Sequence, residues 1–114
     1  MIHYNKLIRD KIPDIKAQHK EKIAFHVADN DKEYWPKLLA KLQEEINEFG
    51  EKGDMESFGD ILEVLEAIRD FKKFDHQELM AIKKNKKIEL GGFEKRMVLD
   101  ESDKEMGHRQ EQII

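Results

Sequence analysis

The sequence predicts a mainly all-α fold centred on an antiparallel helical hairpin, and three observations support this. Apolar residues recur at three- and four-residue steps in two long segments, 31–51 and 55–73. The short link Gly53-Asp54 joins these segments, so they are expected to pack side by side. Apolar residues make up 39% of the chain and charged residues 40%, which favours helices that each bury a single stripe.

The elements before the hairpin are short. The first 20 residues read as an extended start followed by a helical segment that begins near Pro13. Residues 22–28 alternate weakly and contain β-formers, and residues 93–99 have a similar composition. We therefore also consider a small two-stranded β element in which these two segments pair.

The two hairpin helices have clear boundaries and clear apolar stripes. Asp29, Asn30 and Asp31 are candidate N-caps for the first helix, and Gly53 is a stop signal before the second. The first stripe consists of Trp35, Leu38, Leu39, Leu42, Ile46 and Phe49. The second consists of Met55, Phe58, Ile61, Leu62, Leu65 and Ile68. At this spacing Trp35 is expected to belong to the core.

A third helix is expected to start near Asp75, where Asp75 and Glu78 form a possible capping box. It should end before Gly91-Gly92. We favour a helix C-cap with Phe93 as an aromatic plug, and the alternative is a backbone turn at Gly91-Gly92-Phe93 that approaches a phosphate. We expect residues 1–99 to form one domain and residues 100–114 to form a polar, flexible tail.

Charge and cysteine content narrow the function classes. The chain has 21 Lys and Arg against 25 Asp and Glu, and 21 − 25 gives −4. The two signs are interleaved, which argues against binding to a nucleic acid polymer. The absence of cysteine excludes a disulfide scaffold and a thiolate zinc site. No apolar run approaches the roughly 20 residues of a membrane span, so we expect a cytoplasmic protein without membrane contact.

Acidic side chains form two rows on the hairpin helices. The first row contains Glu44, Glu45 and Glu48, and the second contains Glu56, Asp60 and Glu63. Counting outward from the turn places the two rows at the same level, where helix rotation can bring them face to face. Carboxylates within about 4–6 Å repel one another, and a divalent cation such as Mg²⁺ removes that conflict. The alternative is an ordinary solvated helix surface.

Four motifs make a family resemblance specific: NKLIRDKIP at 5–13, EEINE at 44–48, DILEVLEAI at 60–68 and GGFEKR at 91–96. In this order they resemble the MazG-like all-α nucleoside triphosphate pyrophosphohydrolases. The nearest likeness is to a small house-cleaning subfamily related to phosphoribosyl-ATP pyrophosphohydrolase. The resemblance implies hydrolysis of a nucleoside triphosphate, which can be noncanonical, to the monophosphate and pyrophosphate, with Mg²⁺ or alternatively Mn²⁺ as cofactor.

The resemblance also implies roles for individual residues. Glu45, Glu48 and Asp60 match metal-binding positions, and Glu44 matches a position that supports the metal shell or activates water. The catalytic candidates are therefore Glu44 and Glu45. The family has a Glu three residues before the Asp of the second helix, and this chain has Ser57 there. Glu56 and Glu63 are the possible replacements, and we favour Glu63 as a metal ligand because it lies one turn beyond Asp60.

Basic residues are candidates for binding the triphosphate. They are Lys6, Arg9, Lys83, Lys86, Lys87, Lys95 and Arg96. For Lys6 and Arg9 the alternative is a salt-bridged surface. A hairpin with one further helix leaves apolar surface uncovered, so we also expect a homodimer or a higher homo-oligomer.

Two other functions remain open from the sequence. One is a non-catalytic nucleotide- or metal-binding module on the same fold, which Ser57 motivates. The other is a helical interaction protein whose acidic rows only increase solubility.

Overall fold

A computed structural model describes residues 2–107 and contains four helices in this range. They are α1 (Ile12–Gln18), α2 (Asp31–Lys52), α3 (Met55–Lys72) and α4 (His76–Leu90). This confirms the mainly all-α prediction. The β element is wrong, because residues 22–28 and 93–99 are irregular and the described part of the chain has no strand. Residues 108–114 of the predicted tail lie outside the described residues.

The chain divides into two compact units, Met1–Phe74 and Asp75–Ile114. The first contains α1, α2 and α3, and within it α2 and α3 are the packed helix pair. The second contains α4 and the segment that follows it. Each helix in the described range is too short or too polar to cross a lipid bilayer.

Side-chain caps and a two-residue turn set the hairpin. The Asn30 side chain accepts a hydrogen bond from the Glu33 backbone N–H at 3.1 Å and starts α2. Gly53 ends α2 in the left-handed region (φ 62°), and its N–H donates to the Phe49 carbonyl at 2.8 Å. Asp54 then caps α3, because its carboxylate accepts from the Ser57 N–H at 2.9 Å. The helices are therefore forced to return alongside each other.

The described core of the hairpin is small and is supported by aromatic contacts at both ends. Leu38 and Val64 are the buried apolar residues, with 1% and 8% of their surface exposed. At the open end, the Trp35 and Phe71 rings stack with centroids 5.4 Å apart, and the Lys72 ammonium lies 4.2 Å from the Trp35 ring. Near the turn, Phe49 and Phe58 meet edge to face. Trp35 therefore joins α2 to α3, as the apolar stripe predicts.

In the second unit, α4 begins and ends where the sequence predicts. The Asp75 carboxylate accepts from the Glu78 N–H at 2.9 Å, and the N–H of Gly91 (φ 86°) donates to the Lys87 carbonyl. The aromatic plug is wrong, since 91% of the Phe93 surface is exposed. The chain turns at this point through a hydrogen bond from the Arg96 N–H to the Phe93 carbonyl, so the ring is not turned back onto the helix end.

We predict that Leu38→Ala lowers the free energy of unfolding by about 2–4 kcal/mol, because it leaves a cavity at the best-buried position between α2 and α3. Ile88→Ala is the control, since Ile88 is 74% exposed on α4 and should change stability by less than about 0.5 kcal/mol. Urea unfolding followed by circular dichroism measures both. Equal effects of the two substitutions would contradict this assignment of the core.

Candidate functional site

One side of the hairpin carries the acidic rows. Successive residues of a helix are rotated by about 100°, and α2 and α3 turn Leu38, Glu45, Ser57 and Val64 toward each other. The residue one position before each buried residue projects to one side of its helix. Because α2 and α3 are antiparallel, these two sides face the same way and form one surface. We call this side the acidic face. It consists of Glu44, Glu48, Glu56, Asp60 and Glu63.

The N-terminal segment lies on the acidic face and bridges both helices. The Lys6 ammonium contacts the Glu44 carboxylate on α2 at 2.8 Å. Three residues later, the Arg9 guanidinium contacts the Asp60 carboxylate on α3 at 2.7 Å. Because one short segment reaches both carboxylates, Glu44 and Asp60 must lie on the same side of the hairpin. Two of the predicted phosphate-binding residues thus form ion pairs, Lys6 with a predicted catalytic carboxylate and Arg9 with a predicted metal ligand.

A backbone contact holds the same segment in place. Lys37 on α2 donates through its ammonium to the Asn5 carbonyl at 2.5 Å. Asn5 itself adopts a positive φ of 47°, a conformation that asparagine tolerates better than most residues. This left-handed residue therefore precedes Lys6 and Arg9, whose cations contact the acidic face.

Glu45 is the one carboxylate that the hairpin buries among the described residues. Only 7% of its surface is exposed, and its Oε1 forms an ion pair with the Lys41 ammonium at 3.2 Å. Its Oε2 is buried and has no hydrogen-bond partner in the described structure. A buried carboxylate oxygen without a partner costs free energy, so this position is not explained by folding stability alone.

The remaining predicted metal ligands are more exposed. The Glu48 carboxylate accepts from the Lys52 ammonium at 2.6 Å, and Glu63 lies exposed on α3. Within residues 2–107, no three His, Asp or Glu side chains are placed so that they could hold a metal ion together. Glu44, Glu48 and Asp60 each form an ion pair with a cation of the chain itself, namely Lys6, Lys52 and Arg9.

The Lys6–Glu44 contact shifts both titrations. The hydrogen bond from Lys6 lowers the pKa of the Glu44 carboxyl below its usual 4.5. Partial burial acts in the opposite direction, and the charge of Lys41 lowers this pKa further. The same hydrogen bond raises the pKa of the Lys6 ammonium above its usual 10.5, against partial burial. Both groups are therefore charged at neutral pH.

Ser57 has a structural role that the family resemblance does not indicate. It is only 3% exposed and is the third residue of α3. Hydrogen bonds from its hydroxyl and its backbone N–H lower the pKa of the Asp54 carboxyl, which is the cap of this helix. A Glu at this position would have to place a second carboxylate in the helix interface that already buries Glu45.

The remaining phosphate-binding candidates belong to the second unit. Lys83, Lys86, Lys95 and Arg96 are exposed there, and Lys87 forms a 3.5 Å ion pair with Glu94. Their role toward a substrate stays a prediction.

Sequence reasoning missed the lysines that hold the acidic side chains. Lys41 lies three residues before Glu44 and four before Glu45 and contacts both. Lys52 lies four residues after Glu48. These spacings place residues next to each other on one helix face, so the pairs could have been found from the sequence. The burial of Glu45 depends on the packing of α3 and has no such local signal.

No protein-family profile, curated protein or solved structure matches the chain.

We predict that Lys6→Met lowers the free energy of unfolding at neutral pH by up to about 1 kcal/mol, the range of exposed ion pairs. Because the folded pKa of Glu44 is lowered, its contribution is present above pH 4.5 and is lost as the pH falls below that value. Because the folded pKa of Lys6 is raised, its contribution is present below pH 10.5 and is lost above it. Urea unfolding across the pH range measures the difference between wild type and variant.

Lys11→Met is the matched control, as Lys11 is an exposed lysine of the same segment. Its effect should be small and independent of pH. A Lys6→Met effect that is as large well below pH 4.5 as at neutral pH would contradict the ion pair as its cause.

Proposed function

We propose that the chain is a magnesium-dependent pyrophosphohydrolase that cleaves a nucleoside triphosphate to the monophosphate and pyrophosphate on the acidic face. The observation that carries this proposal is Glu45. It is a carboxylate buried between two helices, with one oxygen that has no partner in the described structure. Such a group is costly to folding and is typical of a site that binds a charged ligand.

The chemistry of these donors suits magnesium, although within residues 2–107 no three of them are grouped around one point. Mg²⁺ is held in proteins by a few carboxylates together with water and substrate phosphates. Glu45, Glu48 and Asp60 would hold it, with Glu63 as the additional carboxylate beside Asp60. The unpartnered Oε2 of Glu45 is a hard oxygen donor of the required kind. Bound magnesium would neutralise phosphate oxygens and make a coordinated water more acidic.

Glu44 and the N-terminal cations supply the remaining chemistry. Glu44 is a carboxylate at neutral pH, so it can position the attacking water and accept its proton, while the contact with Lys6 lowers the pKa of the Glu44 carboxyl and makes it a weaker base than an unpaired glutamate. Lys6 and Arg9 lie within ion-pair distance of Glu44 and Asp60, so they are already at the acidic face where a triphosphate would bind. Metal binding by Asp60 would release the Arg9 guanidinium to bind phosphate oxygens, and Lys6 beside Glu44 would be a second cation within reach of them.

One observation favours a second candidate, a non-catalytic nucleotide- or metal-binding module. Ser57 is buried where the related pattern has a carboxylate, so the site has one charge fewer than that pattern requires. A module of this kind would bind a nucleotide through the same face without consuming it.

We predict pyrophosphate release from at least one member of a broad nucleotide panel in the presence of Mg²⁺ or Mn²⁺. Glu48→Gln and Asp60→Asn should each reduce kcat about 100-fold or more, since each removes one charge that holds the metal. The control is Glu51→Gln, which should keep full activity. Glu51 is an exposed carboxylate near the end of α2, the helix that carries Glu48. Chromatography of the products separates monophosphate plus pyrophosphate from diphosphate plus phosphate.

Two results would contradict the hydrolase. One is no turnover across the panel with either metal, and the other is activity that persists in Asp60→Asn and in chelator. A rise in melting temperature with nucleotide but without its consumption would instead support the non-catalytic module.

A further inference from the structure

We infer that the acidic face binds a divalent cation and a polyphosphate chain as a coupled pair, and that Arg9 is the residue that couples them. Mg²⁺ alone is held weakly, because Asp60, one of its proposed ligands, is already paired with the Arg9 guanidinium. The inference rests on the metal site of the proposed function but not on hydrolysis. It holds equally for a module that binds a nucleotide without cleaving it.

The ion pair between Arg9 and Asp60 is the first observation. The Nη2 of Arg9 lies 2.7 Å from the Oδ1 of Asp60, although the two residues are 51 positions apart in the chain. Asp60 is also a carboxylate of the kind that Mg²⁺ binds. A dication bound there would stand beside the Arg9 charge and repel it. Mg²⁺ that binds Asp60 without an accompanying anion must therefore separate the pair and leave Arg9 without a partner.

A polyphosphate supplies the anion that Arg9 then lacks. A guanidinium binds phosphate oxygens through two parallel hydrogen bonds, and in the described structure one Arg9 nitrogen bonds to Asp60. When Asp60 passes to the metal and Arg9 passes to a phosphate, each charge keeps a partner. The two side chains of the pair are 56% and 36% exposed, so the pair contributes little to stability and can be exchanged without disturbing the hairpin.

The backbone on both sides of the Arg9 side chain is held in place. The Arg9 carbonyl accepts a hydrogen bond from the Ile12 N–H at 3.1 Å, where α1 begins. Upstream, the Asn5 carbonyl accepts from the Lys37 ammonium of α2 at 2.5 Å. A guanidinium that leaves Asp60 therefore stays at the acidic face, within the reach of its own side chain.

Glu45 is the second, independent observation, because it lacks a cation where Asp60 already has one. It is 7% exposed, and its buried Oε2 has no partner in the described structure. Lys41 contacts both Glu45 and Glu44, so Glu45 lies next to the acidic face. Metal binding is thus favoured at Glu45 and opposed at Asp60. A phosphate that receives Arg9 removes this opposition.

Thermodynamic linkage makes this coupling reciprocal. If a polyphosphate raises the affinity for Mg²⁺ by some factor, then Mg²⁺ raises the affinity for the polyphosphate by the same factor. We expect a factor of about 10 or more, which is within the usual range for two coupled sites. Free Mg²⁺ still binds at high concentration, in competition with the Arg9–Asp60 pair.

The test is isothermal titration calorimetry of the full chain and of Arg9→Met with two titrants, Mg²⁺ alone and inorganic tripolyphosphate in saturating Mg²⁺. Arg9→Met should bind Mg²⁺ alone more tightly than wild type, by up to about 5-fold, because Asp60 is no longer paired. It should bind the magnesium–tripolyphosphate complex about 10-fold more weakly, because the phosphate has lost its guanidinium. A residue with a merely structural role would weaken both. Mg²⁺ binding that is no tighter in Arg9→Met, or binding of the complex that is no weaker, would overturn the inference.

Two further variants complete the comparison. Lys16→Met is the matched control, because Lys16 forms a 2.9 Å ion pair with Glu21, which is not part of the acidic face. It should leave both binding constants unchanged. Arg9→Lys keeps the charge without the planar fork, so it should bind the complex more weakly than wild type and more tightly than Arg9→Met. Arg9→Lys also keeps the test available if Arg9→Met is unstable.

A second probe identifies the source of the polyphosphate. It is a nucleoside triphosphate with a methylene group between its α- and β-phosphorus atoms, which cannot be cleaved there. Opposite effects of Arg9→Met with both probes would show that a nucleotide is accepted, whereas opposite effects with tripolyphosphate only would identify an inorganic chain. Coupled binding without turnover of any nucleotide would refute the hydrolase and support this inference. Turnover with uncoupled binding would do the reverse.

Discussion

The burial of one carboxylate between two helices is the feature of this hairpin that folding stability does not explain. Glu45 on α2 is buried against α3, and Lys41, one turn earlier on α2, forms an ion pair with only one of its two carboxylate oxygens. A sequence selected for stability alone would place an apolar residue here, since replacing a buried ionic group by a well-packed apolar one is often neutral or stabilising. The burial of Glu45 therefore supports the proposal that a bound cation compensates the oxygen that the fold leaves without a partner.

The two sides of the hairpin follow from the packing of α2 against α3 along Leu38, Glu45, Ser57 and Val64. On one side the chain's own cations, Lys6 and Arg9, neutralise carboxylates of both helices and hold the N-terminal segment there. On the other side the apolar residues Leu39, Ile46, Phe58, Leu62 and Leu65 are half exposed. One helix pair thus has a charged side, where the proposed metal and polyphosphate would bind, and an opposite side that is largely apolar between residues 37 and 66.

Local signals in the sequence predicted the helices well, and packing explains the differences. Caps at Asp54 and Asp75, together with the left-handed Gly53, set the boundaries that the sequence indicates. The strand expected at 22–28 failed because period-two alternation over seven residues is weak without a partner strand, and 93–99 forms none. The acidic rows were visible from spacing, but the burial of Glu45 and Ser57 depends on how α3 packs against α2, which no local pattern encodes.

The most direct measurement of the central claim is the free energy of unfolding as a function of Mg²⁺ concentration, for wild type and for Glu45→Met. In chelator we expect Glu45→Met to be more stable than wild type by about 1–2 kcal/mol, because it removes a buried, half-compensated charge. Added Mg²⁺ should then stabilise the wild type and leave the variant unchanged. A variant that is less stable in chelator, or that gains as much from Mg²⁺ as the wild type, would contradict the account.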